Sequence, residues 1–170
     1  MRASNPFRNS MKDGKYSPSC TCVMKLWFGQ KYYFIWKAKA LHQSVNSAAI
    51  DIDQRLRLGQ RPNDIWDKVI KYIKRSRVTQ FEVEVVFASN NPQEILLKEY
   101  RLLQEAKNDP CCLNVSYEPL TPKWITEIDK QAYLELRDGL HVGQVIMAPR
   151  GAGSFRVKSL KPQNAEPTTT

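Results

Sequence analysis

The sequence predicts an α/β (α+β) fold, a small antiparallel or mixed sheet with flanking helices and an extension at each end of the chain. Two aromatic-rich runs that favour β-strands are separated by Gly29-Gln30, as in a hairpin. Two segments with apolar residues at helical spacing follow, and then an alternating run and another helical segment. The resulting order, β-β-α-α-β-α within positions 21–118, indicates helices packed on a small sheet.

The hairpin is predicted from the run CVMKLWFGQKYYFIWK, which begins at Cys22. Alternating side chains lead to Phe28, and a second, aromatic run extends from Tyr32 to Trp36. Gly29 would supply the positive φ of a two-residue type II′ turn between the two strands. The aromatic content and this glycine favour a hairpin over a buried helix.

Two helices are predicted after the hairpin. The first covers 47–58 and ends at Gly59, because glycine is typical of the position after the last helical turn. Its start is open, since Ser44, Asn46 and Ser47 are rival N-cap residues. The second is introduced by Pro62-Asn63 and Asp64, and its apolar residues share one helical face: Ile65, Trp66, Val69, Ile70 and Ile73.

A strand and a third helix complete the predicted domain. Phe81, Val83 and Val85 alternate with glutamates, a pattern typical of a half-buried strand. Asn91 as N-cap and Pro92 at the first helical position predict the start of the third helix, which should end before Asp109-Pro110.

The domain is predicted to carry an extension on each side. The first is a basic arm over 1–20, and the second covers 119–170. Within the second we expect a helix over 123–137 that ends at Asp138-Gly139. A short hairpin of strands at 144–147 and 155–160 and a polar tail should follow.

The net charge of +9, from 26 basic and 17 acidic side chains, is concentrated at the ends of the chain. Residues 1–20 and 150–170 each carry +3, and everything between them carries only +3 together. This distribution predicts either solvating tails or arms that contact nucleic acid or a neighbouring subunit. The basic side chains of the two arms are Arg2, Arg8, Lys12, Lys15, Arg150, Arg156, Lys158 and Lys161.

Composition excludes several classes of protein. No apolar run reaches the roughly 18–20 residues of a transmembrane helix, and the first residues lack the apolar stretch of a secretory signal peptide. The cysteine pairs Cys20-x-Cys22 and Cys111-Cys112 could meet at a zinc ion, but neither has the spacing of a structural zinc site. We therefore expect the four cysteines to be reduced thiols. Because no apolar run is long enough, we also expect no contact with a membrane.

Several short motifs occur in the order found in one enzyme superfamily. KYYFIWKAKAL would be a second hairpin strand, DQRLRLG would place Arg55 on the first helix, and WDKVIKYIKRSRVTQFEVEVVF would be the second helix and its strand. ILLKEYRLL would place Glu99 on the third helix, and Leu113-Asn114 would close the domain. Over these residues the chain resembles the GIY-YIG nuclease superfamily.

The resemblance implies a catalytic set that this chain keeps only in part. It implies a hairpin tyrosine that helps to activate water, an arginine at Arg55 that steadies the scissile phosphate, and a glutamate at Glu99 that holds one divalent metal. The two hairpin motifs read Cys22-Val23-Met24 and Phe34-Ile35-Trp36 here, so in this register both lack their tyrosine. A shifted register could use Tyr32 or Tyr33, but a slip of one residue turns the hydroxyl to the opposite face of the sheet. We therefore expect no catalytic residues, with Arg55, Glu99 and Asn114 as vestigial motif positions.

The sequence leaves three hypotheses about function. The first is a structural virion protein without cofactors, similar to ring or connector proteins at the portal–tail region of crAss-like tailed bacteriophages. It would assemble in the host cytoplasm into a homo-oligomeric ring that contacts portal and tail proteins and packaged DNA. The second is an active DNA endonuclease that needs Mg²⁺ or Mn²⁺ at Glu99. The third is a non-catalytic DNA-binding module that uses Lys71, Lys74, Arg75 and Arg77.

Overall fold

A computed structural model describes residues 8–11, 16–59 and 61–141, and within these ranges it confirms the predicted α+β class. The strands are β1 (Arg8–Met11), β2 (Cys22–Phe28), β3 (Tyr32–Ala38) and β4 (Gln80–Ala88). The helices are α1 (Leu41–Leu58), α2 (Asp67–Ser76), α3 (Pro92–Ala106) and α4 (Glu127–His141). The chain divides into two compact units. The first contains the sheet, α1, α2 and α3 from Lys98 onward, and the second contains the start of α3 and α4.

The four strands form one mixed sheet in the order β1-β4-β2-β3. β2 and β3 are an antiparallel hairpin in which Phe28 faces Tyr32, and β4 pairs antiparallel with the other edge of β2. Gly29 has the predicted positive φ, +81°. The loop holds residues 29–31, so the prediction of a two-residue turn was wrong by one residue.

The strand β1 lies inside the segment that the sequence assigned to a basic arm. It pairs in parallel with β4, from Arg8 opposite Gln80 to Met11 opposite Val83. Its sequence, RNSM, has no alternation of apolar and polar residues, so the residue pattern does not indicate a strand. The strand is defined by its backbone pairing with the edge of β4, and main-chain N–H and C=O groups can pair in this way without an alternating apolar pattern.

The helices α1 and α2 cover one face of the sheet. Alternate residues of β2, from Cys22 to Phe28, and of β3, with Phe34, point to this face and are buried with apolar residues of both helices. The ring of Trp66, just before α2, lies 4.5 Å from that of Phe34 and 5.9 Å from that of Trp36. The hydrophobic core of the first unit therefore lies between the hairpin and these two helices.

The start of α1 differs from the prediction. The helix begins at Leu41, and its N-cap residue, Ala40, makes no side-chain cap hydrogen bond. The amide N–H groups of Leu41 and His42 donate to the carbonyl oxygens of Cys20 and Pro18, at 2.9 and 2.8 Å. Ser44, Asn46 and Ser47 are thus not the cap, because backbone from the segment before β2 fills that role.

Other helix ends confirm or correct the predicted caps. The C-cap Gly59, with φ +98°, is confirmed, and so is Asn91, whose Oδ1 accepts a hydrogen bond from Gln93 N at 2.9 Å. The helix α4 begins later than predicted because Thr126 Oγ1 accepts the Asp129 N–H at 3.1 Å. It then continues through Gly139, where the sequence predicted its end, since one glycine costs a helix only about 1 kcal/mol.

The rest of the C-terminal prediction, the hairpin at 144–147 and 155–160 and the polar tail, lies outside the described residues. No helix in the part of the chain that the structure describes is long and apolar enough to cross a membrane.

Candidate functional site

Arg55 lies in the last turn of α1 and is buried against an acidic partner. Its Nε donates to Asp64 Oδ2 at 2.6 Å, and one terminal nitrogen donates to the carbonyl oxygen of Asp51 at 3.3 Å. Burial alone would raise the pKa of Asp64. The hydrogen bonds from Arg55 and from the Trp66 N–H outweigh it and hold that pKa below its ordinary value. The pair therefore joins α1 to the turn before α2.

Glu99, on α3, forms a buried ion pair with Lys37 of β3. Lys37 Nζ lies 2.8 Å from Glu99 Oε1, and the two side chains are only 2% and 3% exposed. Burial raises the pKa of Glu99 above its ordinary value and outweighs the attraction of Lys37. Lys37 therefore already supplies a cation to Glu99 Oε1. Among the described residues, no group of three or more histidine, cysteine or acidic side chains could hold a metal ion.

Asn114 is bound to the edge of β3. Its side-chain oxygen accepts a hydrogen bond from Ile35 N at 2.8 Å, and its amide nitrogen donates to Ile35 O at 2.9 Å. Just before it, Leu113 N donates to Tyr33 O at 2.7 Å. Residues 111–114 therefore extend the sheet beside β3, and Asn114 satisfies backbone groups that the strand edge would otherwise leave open.

The sheet separates Arg55 from Glu99. Side chains of a strand alternate between its faces, so Lys37 points away from the face that carries Phe34 and Trp36. Arg55 and Asp64 belong to the α1–α2 side, because Trp66 packs on Phe34. Glu99 pairs with Lys37 on the other side. The structure thus places the two motif residues on opposite faces and does not bring them together.

A basic groove lies elsewhere in the first unit, beside α2. It has a volume of about 440 Å³, and we call it the α2 groove. Its lining includes four cationic side chains and three tyrosines: Lys68, Lys71, Arg75, Lys107, Tyr32, Tyr72 and Tyr117. One carboxylate, that of Asp109, also lies there.

The α2 groove contains only half of the residues predicted to contact nucleic acid. Lys71 and Arg75 line it, whereas Lys74 and Arg77 do not. The reason is helical geometry, because positions 68, 71, 72 and 75 share one face of α2 and position 74 points elsewhere. Arg77 ends the helix in the left-handed conformation, with φ 64°. The helical spacing in the sequence places these α2 residues on one face. The sequence near Lys107 and Tyr117 does not indicate that these two residues line the same groove.

Several contacts organise the groove. The rings of Tyr32 and Tyr72 stack with centroids 4.3 Å apart, and the Arg75 guanidinium lies 5.3 Å from the Tyr72 centroid. Lys68 Nζ lies 3.4 Å from the Tyr117 hydroxyl, and Gln104 Nε2 donates to Tyr117 O at 2.9 Å. These contacts hold the aromatic rings beside the cations.

The carboxylate of Asp109 is engaged by neighbouring donors. Its Oδ2 accepts a hydrogen bond from the Tyr33 hydroxyl at 2.6 Å, and its Oδ1 accepts one from Cys111 N at 2.9 Å. These two donors lower its pKa. Asp109 is therefore a negatively charged side chain held in place by hydrogen bonds. The groove lining contains this one carboxylate and four cationic side chains.

The remaining predicted residues are the cysteines and the arms. All four cysteines are free, and burial beside Cys20 raises the pKa of the Cys22 thiol to about 12. Arg8 begins β1. The other arm residues lie outside the described residues: Arg2, Lys12, Lys15, Arg150, Arg156, Lys158 and Lys161. Comparison of the chain with protein-family models, curated proteins and solved structures finds no match.

Proposed function

We propose that this chain is a non-catalytic structural module built on a nuclease-like fold. The observation that carries the proposal is that Arg55, Glu99 and Asn114 each bind a partner within the chain. A catalytic side chain must offer its polar atoms to the substrate or to a metal. Here those atoms hold the first unit together, which supports a role as scaffold over a role in cleavage.

We place this module in the virion of a tailed phage, as its resemblance to ring or connector proteins of crAss-like phages implies. A symmetric ring needs head-to-tail interfaces between its copies, and portal and tail proteins would be its neighbours. The strand β1 is consistent with such contacts, because it is the end strand in the described order β1-β4-β2-β3, and an end strand can pair with another chain.

The mass of the native assembly tests this proposal. A ring gives a discrete multiple of the chain mass at micromolar concentration, alone or with its portal and tail neighbours. A monomer in the presence of those neighbours would refute the structural role. The same preparation should not cleave plasmid DNA over a wide range of Mg²⁺ or Mn²⁺, and metal-dependent cleavage would favour the endonuclease alternative.

The α2 groove favours a second candidate, a non-catalytic nucleic-acid-binding module. The four cations can contact the phosphates of a nucleic acid, and the three aromatic rings can stack on its bases. Binding should weaken steeply as salt rises, since each neutralised phosphate releases a counterion. Absence of binding at low salt would remove this candidate and leave the structural role standing.

A further inference from the structure

We propose that the α2 groove, defined above by its four cations and three tyrosines, binds an unpaired segment of single-stranded nucleic acid. This inference rests on the second candidate function and names its ligand class. The ligand needs two chemical features, phosphates for the cations and exposed base rings for the tyrosines. DNA and RNA single strands share both features.

The cations of the groove are arranged to meet several phosphates. Lys68, Lys71 and Arg75 project from successive turns of one face of α2, and Lys107 approaches from the end of α3. The Lys71 side chain is 66% exposed, and its ion pair with Asp67, at 3.1 Å, is of the weak surface type. A phosphate can therefore replace Asp67 at little cost.

The tyrosines distinguish this groove from a purely electrostatic patch. Tyr32 and Tyr72 form a stacked pair, and Arg75 extends that arrangement, with its guanidinium 5.3 Å from the Tyr72 centroid. Tyr117 also lines the groove, and its backbone oxygen accepts a hydrogen bond from Gln104 Nε2. Stacking of unpaired bases on aromatic rings is the main sequence-independent interaction of proteins that bind single strands.

The volume of the groove and the tyrosines in its lining also favour a single strand over a duplex. A volume of about 440 Å³ is in the range of sites for small ligands, so the groove admits an unstacked nucleotide. In a duplex the base faces are stacked inside the helix, where the tyrosines cannot reach them. A duplex would meet only the outer cations of the groove.

The test measures the affinity of the full chain for a fluorescent oligonucleotide of about 12 nucleotides. The probe is offered as single-stranded DNA, as single-stranded RNA and as duplex DNA, across a salt series. We expect a single strand to bind about tenfold more tightly than the duplex. The slope of log affinity against log salt should be about −3 for four cations on a single strand.

Two pairs of variants separate charge from stacking. Lys71→Ala should make the salt slope shallower by about 0.7, whereas Lys74→Ala, on the same helix but outside the groove, should leave it unchanged. Tyr117→Leu should weaken binding about tenfold at every salt concentration, and Tyr117→Phe, which keeps the ring, should bind nearly as the parent does. Circular dichroism and thermal midpoints check that all four variants remain folded.

Each failure has its own meaning. No binding of any probe at low salt overturns both this inference and the second candidate function. Equal affinity for duplex and single strand overturns the inference but leaves a nucleic-acid-binding module. Equal effects of Lys71→Ala and Lys74→Ala, or no effect of Tyr117→Leu, show that the groove is not the site.

Discussion

The ion pair between Arg55 and Asp64 offers a direct test of whether Arg55 is structural or catalytic. Arg55→Ala leaves the Asp64 carboxylate without its cation in a site where the two side chains are only 10% and 2% exposed. A buried charge that loses its partner lowers the free energy of unfolding by about 3–5 kcal/mol. An arginine held ready for a phosphate would be removed with little loss of stability.

The same pair predicts strong non-additivity. Asp64→Ala removes the carboxylate that also accepts the Trp66 N–H at 3.2 Å, so it should be destabilising by itself. The double variant leaves no buried charge without a partner. Its loss of unfolding free energy should therefore be about 1–3 kcal/mol smaller than the sum of the losses in the two single variants. For a chain of this size, Arg55→Ala alone should lower the thermal midpoint by about 6–20 °C.

Urea unfolding followed by circular dichroism measures these differences. Arg57→Ala is the matched control, because Arg57 lies on the same helix and pairs with Asp53 at 2.9 Å through a side chain that is 50% exposed. That control should lose no more than about 0.5 kcal/mol. The structural assignment of Arg55 is wrong if Arg55→Ala costs no more than the control, or if the two single losses simply add.

Four further predictions concern Glu99, Asn114 and the dependence of stability on pH. Glu99→Ala should lose about 3–5 kcal/mol in urea unfolding because Lys37 stays buried and charged, whereas Lys37→Met with Glu99→Leu should be neutral or stabilising. Asn114→Ala should cost about 2–3 kcal/mol and speed hydrogen exchange of the Ile35 amide, since both backbone groups lose their partner. Protected exchange there would contradict that assignment. Asp64, with its pKa lowered by folding, stabilises the protein above the unfolded value of 3.8, and this contribution is lost as pH falls through the folded pKa. Unfolding free energies measured from pH 6 downward should therefore fall less steeply in Asp64→Asn. Folding raises the pKa of Glu99, so ionisation of this group lowers the free energy of unfolding as pH rises above the unfolded value of 4.5. This decrease with pH should be absent in Glu99→Gln.

The elements that the sequence predicted well are those with a local physical signal. Phe81, Val83 and Val85 alternate along β4 because one face of the strand is buried. Gly59 and Asn91 end and begin helices through bonds to their own neighbours. In these places the deciding contacts lie within a few residues, so pattern analysis could find them.

The elements that were missed depend on distant backbone. The strand β1 exists through its pairing with β4, about 70 residues later. The start of α1 is set by the carbonyl oxygens of Pro18 and Cys20, which lie before the hairpin. In both cases the residues of the element itself do not identify the distant backbone with which it pairs. The same holds for the α2 groove, where helical spacing aligned Lys68, Lys71 and Arg75, but only folding added Lys107 and Tyr117.

By itself the sequence determined the α+β class, the order of the central elements and the concentration of charge at both ends. It also singled out Arg55, Glu99 and Asn114. Only the tertiary structure decided what these three do, by supplying Asp64, Lys37 and the backbone of Ile35 as partners. The physical reason is that a polar side chain owes its role to what surrounds it once it is buried, and those surroundings come from residues far apart in the chain.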